Sequence, residues 1–123
     1  FADLLLVPAR NLHALPECVG FPEAALVEPL ACVVRGLLEL GRVTAGDRAL
    51  VSGPGAIGLL ALQVARASGA RTLVLGTGRD AERLARAEAL GAQTLTVERP
   101  AEVLVGEIRE RLGGPPTVVI ECS

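Results

Sequence analysis

Residues 47–58 read DRALVSGPGAIG, an apolar run that ends on three glycines at Gly-x-Gly-x-x-Gly spacing. Gly53 permits a sharp turn out of a strand, Gly55 leaves the backbone open to a pyrophosphate, and Gly58 lets a following helix pack closely. A helix that starts here directs free N–H groups and its positive dipole end at a bound phosphate. The stretch therefore predicts a dinucleotide-binding turn. We assign to this turn Gly53, Pro54, Gly55, Ala56, Ile57 and Gly58.

The residues after the turn supply the context that such a motif requires. Glycine turns are common, so an ordinary turn between strand and helix is the alternative explanation. Residues 59–67 carry the broad apolar face of a helix that ends at Gly69, and residues 72–75 form the continuous apolar run of a buried strand. The unit 49–75 thus has the order and length of a βαβ crossover, which favours the dinucleotide-binding interpretation.

The same alternation continues to the end of the chain. The pattern predicts helices over 80–90 and 101–112 and strands over 94–97 and 117–122. Four strands separated by three helices predict an α/β fold: a parallel sheet with helices on both faces and strand order 3-2-1-4. We therefore expect residues 31–123 to form the first mononucleotide half of a doubly wound Rossmann domain.

The first residues and both ends of the chain differ from this pattern. Residues 1–7 suit a strand and prolines interrupt the next 15 or so residues, so we assign residues 1–30 to the tail of a preceding domain and the start of an interdomain helix. The chain begins at Phe1 without a Met and stops at Ser123, after a strand expected inside a larger sheet. We expect a fragment of a longer protein.

Composition excludes several classes of protein. Apolar residues make up 50% of the chain, the net charge is −2 and the mean hydropathy is +0.47, which suits a globular domain and not a nucleic-acid-binding one. The longest apolar stretch, 24–40, contains charged residues and a proline, so we predict no membrane span. With no signal peptide recognisable, we expect a cytoplasmic protein.

The cysteines and the single histidine carry little signal for a site. Cys18, Cys32 and Cys122 are far apart in sequence, which indicates neither a disulfide framework nor a zinc knuckle. Cys32 and Cys122 lie in apolar runs, so we expect them in the core. His13 is expected to be a surface or packing residue, not a ligand or general base.

Glu28 is a carboxylate among the apolar residues of 24–30, within a helical segment. An ionised carboxylate is costly to bury unless a cation or hydrogen-bond donors meet it. One interpretation is a metal ligand; the other is that Glu28 lies on the solvent side of the helix or caps a neighbouring backbone. Spacing alone favours the second.

Five segments together resemble the zinc-type medium-chain dehydrogenases, most nearly the sorbitol dehydrogenase branch, with threonine and other polyol dehydrogenases also similar. These segments are FADLLLVPARNLHALP (1–16), AALVEPLA (24–31), GPGAIG (53–58), RLARAEALGA (83–92) and VVIECS (118–123). The resemblance implies an oxidoreductase that passes hydride between a secondary alcohol or polyol and a nicotinamide cofactor. It also implies a catalytic domain resembling a small, partly open β-barrel before the cofactor domain, a catalytic zinc between the two, and a homodimer or homotetramer.

The resemblance assigns a role to Glu28. It places this residue where the family supplies a carboxylate to the catalytic zinc, directly or through water. The other zinc ligands and a four-cysteine structural site would precede Phe1, so this fragment would be inactive alone. Zinc would act as a Lewis acid on the substrate alcohol while the nicotinamide takes the hydride.

Cofactor choice is where the sequence departs from the family pattern. An Asp or Glu about 20 residues past the glycines normally binds the adenosine ribose 2′-hydroxyl. Thr77, Gly78 and Arg79 occupy that region, without an acid. Arg79 and the Thr77 hydroxyl suit a 2′-phosphate, which favours NADP over NAD. For Asp80 two roles stay open: it contacts the ribose after a one-residue shift, or it is the N-cap of the next helix.

Two other functions remain open at this point. A chain that truly ended at Ser123 would be a nucleotide-binding module without catalysis. A longer protein that lacked the remaining zinc ligands would be a zinc-free, quinone-oxidoreductase-like reductase. A cysteine and a His-Glu pair before Phe1 would favour the zinc enzyme.

Overall fold

The computed structural model describes residues 2–123. The helices in this range are a 3-10 turn at Ala9–Asn11, α1 (Phe21–Ala24), α2 (Val27–Val34) with a π-helical continuation at Arg35–Leu40, α3 (Ala56–Ala67), a 3-10 turn at Gly78–Asp80, α4 (Ala81–Ala89) and α5 (Ala101–Leu112). The strands are β1 (Arg48–Ser52), β2 (Arg71–Gly76), β3 (Gln93–Thr96) and β4 (Val118–Glu121).

The four strands form one parallel sheet in the order β3-β2-β1-β4. Leu50 in β1 is paired with Leu73 on one side and with Val119 on the other, so β1 lies inside the sheet. The predicted order 3-2-1-4 is therefore confirmed, as are the four strands and the helices between them, with ends within a residue or two of those expected. Parallel strands need crossover connections, and each βα unit here provides one.

Helices cover both faces of the sheet, as the sequence predicted. On one face, Val51 and Val74 pack with Leu62 of α3 and Leu84 of α4. On the other face, Leu73 packs with residues of α5. The further residues of that second cluster are Leu50, Leu75, Leu95, Ile108 and Leu112. Burial on both faces explains why β1 and β2 are continuous apolar runs rather than alternating ones.

The long helical segment before the sheet belongs to the same packed unit. Val33 and Leu37 are buried in one cluster with Ala49 of β1 and Ala61 of α3. Small alanine side chains at these positions let the helices approach the sheet closely. Helix α2 (Val27–Val34) continues across residue 30 without a break. The predicted domain boundary between residues 30 and 31 therefore falls inside this helix, and the division into 1–30 and 31–123 stays a prediction.

The first residues and two cysteines differ from what the sequence led us to expect. Residues 2–7 form no strand, and Leu4, Leu5 and Leu6 are exposed, because nothing in residues 2–123 pairs with this segment; Phe1 lies outside the described residues. Cys32 is exposed and Cys122 is half-buried, so placing them in the core was wrong. An apolar run therefore did not specify which face of each element is covered.

No helix in residues 2–123 has the length and apolar character needed to cross a membrane. His13 is exposed, as expected of a surface residue.

Candidate cofactor site

The glycine turn joins the end of β1 to the start of α3. Gly53 has φ +94°, a left-handed conformation that favours glycine, and its N–H donates to the carbonyl of Leu75 at 3.0 Å. A Cβ at Gly53 would lie 2.7 Å from the carbonyl oxygen of Cys122. The turn therefore needs glycine here for two reasons, its backbone conformation and the close approach of the chain after β4.

Gly58 lies in the first turn of α3, against the turn that precedes it. A Cβ there would meet the Gly53 carbonyl oxygen well inside 3.0 Å and would lie 3.5 Å from Cγ1 of Val51. Pro54 is buried, and its Cγ would be 3.1 Å from a Cβ at Gly76 in β2. These contacts hold the helix N-terminus close to the ends of β1 and β2, which is the role predicted for the third glycine.

Gly55 is the N-cap residue of α3 and faces open space. A Cβ built on it would meet nothing within 4 Å, and its φ of −68° is open to any residue. Ala56 and Ile57 follow it and are exposed. The first N–H groups of a helix have no partner within the helix, and no capping side chain bonds them here. An open, positively polarised helix end beside a bare backbone is the cradle that a pyrophosphate fits.

A cavity of about 180 Å³ lies at the carboxyl ends of β1 and β2, beside this turn. Ligands of open parallel sheets bind at this end of the strands. The lining residues are Ser52, Gly53, Leu75, Gly76, Thr77, Asp80, Val97 and Ser123. The structure thus brings Gly53, the first residue of the predicted turn, and Thr77 to one cavity.

Asp80 is used within its own turn. Its Oδ2 accepts hydrogen bonds from the Thr77 N–H at 2.9 Å and from the Thr77 hydroxyl at 2.8 Å, and its Oδ1 accepts one from Arg83 at 3.2 Å. The backbone hydrogen bond from Thr77, followed by that from its hydroxyl, lowers the pKa of Asp80. Asp80 precedes α4, but its side chain caps the 3-10 turn at Thr77 rather than α4 itself.

Gly78 contacts an acid that was not expected from the sequence. Its N–H donates to Oε1 of Glu98 at 2.6 Å. Glu98 follows β3, which lies next to β2, and Val97 N–H donates to the carbonyl of Gly76. The signal was present in the sequence: adjacent parallel strands end at the same edge, so the residues just after β2 and β3 must be neighbours. We expected the ribose-binding acid only at the end of β2, and so did not consider the residues that follow β3.

Arg79 stays apart from these contacts. It is exposed, and within residues 2–123 it forms neither an ion pair nor a side-chain hydrogen bond. The structure therefore brings Thr77 and Gly78 to carboxylates, Asp80 and Glu98, and leaves Arg79 in solvent.

The last residue of β4, Glu121, adds a further carboxylate at this end of the sheet. Glu121 accepts hydrogen bonds from the hydroxyl and the N–H of Ser123, and these, with one from Ser52, lower its pKa. Burial, and next the charge of Glu121, raise the pKa of the Cys122 thiol. Cys122 is accordingly a neutral thiol at neutral pH.

Glu28 lies on α2, away from the glycine turn in sequence. Glu28 is exposed. Within residues 2–123 its side chain accepts one hydrogen bond, from the Cys32 thiol, with 3.8 Å between Sγ and Oε1. No group of three or more metal-binding side chains occurs in this part of the chain. The metal role of Glu28 therefore stays a prediction, and any further ligands would come from outside residues 2–123.

Comparisons with known proteins agree with this geometry. A sorbitol dehydrogenase from Halalkalibacterium halodurans is 37% identical over 100% of this chain and 36% of its own. The solved 2R,3R-butanediol dehydrogenase from Bacillus subtilis matches 89% of this chain and 30% of its own, with 35% identity and a TM-score of 0.73. A short chain alcohol dehydrogenase from Escherichia coli, solved with NADH, matches 95% of this chain and 34% of its own, with 30% identity and a TM-score of 0.78.

The chain spans about a third of the length of the curated relatives it matches. Residues 56–123, from the start of α3 to the end of the chain, match the family described as zinc-binding dehydrogenase. With the glycine turn, the strand order and these matches together, the chain belongs to the zinc-binding dehydrogenase family.

Proposed function

We propose that this chain forms the adenosine- and pyrophosphate-binding part of a zinc-dependent dehydrogenase that oxidises a secondary alcohol or polyol with a nicotinamide cofactor. The observation that carries the proposal is the turn from Gly53 to Gly58, where the N-terminus of α3 faces open space across Gly55. Support for the substrate class comes from the relatives, which include sorbitol and 2R,3R-butanediol dehydrogenases.

The residues of this chain would bind and orient the cofactor. The free N–H groups in the first turn of α3 would hold the pyrophosphate, and Gly55 would let it approach the backbone. The cavity at the ends of β1 and β2 would receive the adenosine. When bound, the nicotinamide supplies a hydride acceptor and zinc supplies a Lewis acid for the substrate oxygen.

Glu28 remains the proposed metal residue of this chain. Its support is the resemblance of the segment around Val-Glu-Pro-Leu to the family's zinc-binding segment, together with an exposed carboxylate free of any salt bridge in residues 2–123. A carboxylate is a common zinc ligand and gives a harder site than a thiolate.

The preference between NADP and NAD also remains a proposal. The sequence favoured NADP because no acid follows β2. Of the two groups expected to bind a 2′-phosphate, the Thr77 hydroxyl already donates to Asp80 and Arg79 lies in solvent. The Gly78 N–H also donates to a carboxylate, that of Glu98, and these contacts weigh against NADP. The resemblance further supports a homodimer or homotetramer, and light scattering of the purified protein would measure its mass. The cytoplasmic location stays a prediction.

A glycine substitution tests the cofactor role without disturbing the fold. Gly55→Ala places a methyl group where we expect the pyrophosphate, and that methyl meets no protein atom. We expect NADH affinity, measured by fluorescence titration of the protein that contains this chain, to fall roughly 10- to 100-fold, as for one lost charge-assisted hydrogen bond. The temperature of unfolding should be nearly unchanged.

Gly106→Ala on α5 is the matched control, because a Cβ there also meets nothing within 4 Å. It should leave NADH affinity unchanged. Equal affinity in the wild type and Gly55→Ala would contradict a pyrophosphate at this turn. A wild-type protein that binds NADH but oxidises none of the polyols and secondary alcohols tested would instead be a nucleotide-binding module.

A further inference from the structure

We propose that Glu98 is the residue that selects the cofactor, by accepting a hydrogen bond from the adenosine ribose 2′-hydroxyl and excluding a 2′-phosphate. This inference rests on the proposed function, since it assigns a role within the same dinucleotide site. It makes NAD(H), and not NADP(H), the expected cofactor.

The first support is the position of the Glu98 carboxylate. A Cβ built on Gly78 would lie 3.0 Å from Oε1 and 3.3 Å from Oε2 of Glu98. Glu98 therefore fills the space in which the side chain of an acid at residue 78 would begin. An acid just after the second strand is the usual ribose contact of this fold, and here a residue from the neighbouring strand end places its carboxylate at the same point.

The second support is the hydrogen-bonding capacity that remains. Oε1 of Glu98 accepts the Gly78 N–H, which fixes the carboxylate against the end of β2. Within residues 2–123, Oε2 has no hydrogen-bond donor, and the side chain is exposed to solvent. Asp80 has less capacity, because it already accepts hydrogen bonds from Thr77 and Arg83. Of the two acids that contact residues 77 and 78, Glu98 is thus the one with a free oxygen.

The third support is charge. A 2′-phosphate would enter between two carboxylates, Asp80 and Glu98, and would find the Gly78 N–H already engaged. The only cation of the segment 77–80, Arg79, lies in solvent. A carboxylate accepts a hydrogen bond from the ribose 2′-hydroxyl but repels a phosphate dianion. The same group therefore favours NAD(H) and disfavours NADP(H).

The test uses two ligands that share the adenosine and lack the nicotinamide, so its readout is independent of turnover. Calorimetric titration of the zinc-loaded protein compares 5′-AMP with adenosine 2′,5′-bisphosphate. We expect the wild type to prefer 5′-AMP by at least about tenfold, as for one hydrogen bond to a charged group. Glu98→Gln, which still accepts the Gly78 N–H, should reduce or reverse that preference by roughly 10- to 100-fold.

Two further variants complete the test. Glu110→Gln, an exposed glutamate on α5, makes the same chemical change outside the site and should leave the preference unchanged. In Glu98→Gln, Arg79 would supply the positive charge that binds the 2′-phosphate. Adding Arg79→Ala to this variant should therefore remove the affinity gained for the bisphosphate. A wild type that prefers the bisphosphate, or a preference that Glu98→Gln leaves unaltered, would overturn the role of Glu98 while the proposed function stands. Failure of both ligands and of NADH to bind would overturn the proposed function as well.

Discussion

Gly58→Ala should destabilise the protein severely, although it adds one methyl group. The new Cβ would lie well inside the 3.0 Å that real Cβ atoms keep from a neighbour, against the carbonyl oxygen of Gly53. The oxygen belongs to the backbone of a turn that is tied to β2 by the hydrogen bond from Gly53 to Leu75, so it cannot move as a side chain would. Overpacked sites commonly cost about 1–3 kcal/mol, and we expect about 3 kcal/mol or more here.

The assay is urea denaturation followed by circular dichroism, with Gly106→Ala as the control. Gly106 is exposed within α5, and a Cβ there meets nothing, so the same substitution should stabilise the protein by about 0.5–1 kcal/mol. The two identical changes should therefore move the free energy of unfolding in opposite directions. A loss below about 1 kcal/mol in Gly58→Ala would refute the close packing of α3 on the turn, since it lies under the usual cost of overpacking.

Three other perturbations address the core, the acidic caps and the metal. Leu73→Ala, at a fully buried position in β2, should lower the free energy of unfolding by about 2–5 kcal/mol. Leu40→Ala, at an exposed position, should change it by less than about 0.5 kcal/mol. Equal effects of the two substitutions would contradict the assignment of Leu73 to the core. A hydrogen bond from the Thr77 N–H lowers the pKa of Asp80 in the folded state, and one from the Thr44 N–H, 2.9 Å from Oδ2, lowers that of Asp47. The stability that these two carboxylates contribute is therefore present above the unfolded pKa of about 3.9 and is lost as pH falls through the lower folded value. Asp80→Asn should flatten that acid decline in a pH series of urea melts, and an unchanged profile would argue against the cap. Glu28→Ala should lower the zinc content measured by metal analysis without weakening NADH binding; unchanged zinc would exclude Glu28 as a ligand.

The sequence was most informative where a local pattern has one physical explanation. The spacing of Gly53, Gly55 and Gly58 predicted the turn because each glycine answers a separate steric demand, and the structure shows a positive φ at the first and a close approach at the third. Strand order followed from the handedness of crossovers, which is the same in nearly all proteins. Such features depend on neighbours in sequence and on the chirality of the backbone.

The sequence was least informative about which side chains face solvent. Cys32 lies in an apolar run, yet it is exposed, because the helix presents another face, with Val33 and Leu37, to the sheet. Residues 2–7 have the composition of a strand but pair with nothing in the described part of the chain. Strand formation requires a partner, and composition alone does not supply one.

By itself, the sequence determined that this chain is a parallel α/β unit with a glycine turn between β1 and α3, since both follow from local spacing. Only the tertiary structure placed an acid beside Gly78. Glu98 lies 20 residues further along the chain and meets Gly78 because β2 and β3 are adjacent and end at the same edge. A search along one strand cannot find a group that reaches the site from the next strand. The register between strands decides that contact, and it is set by packing across the whole sheet.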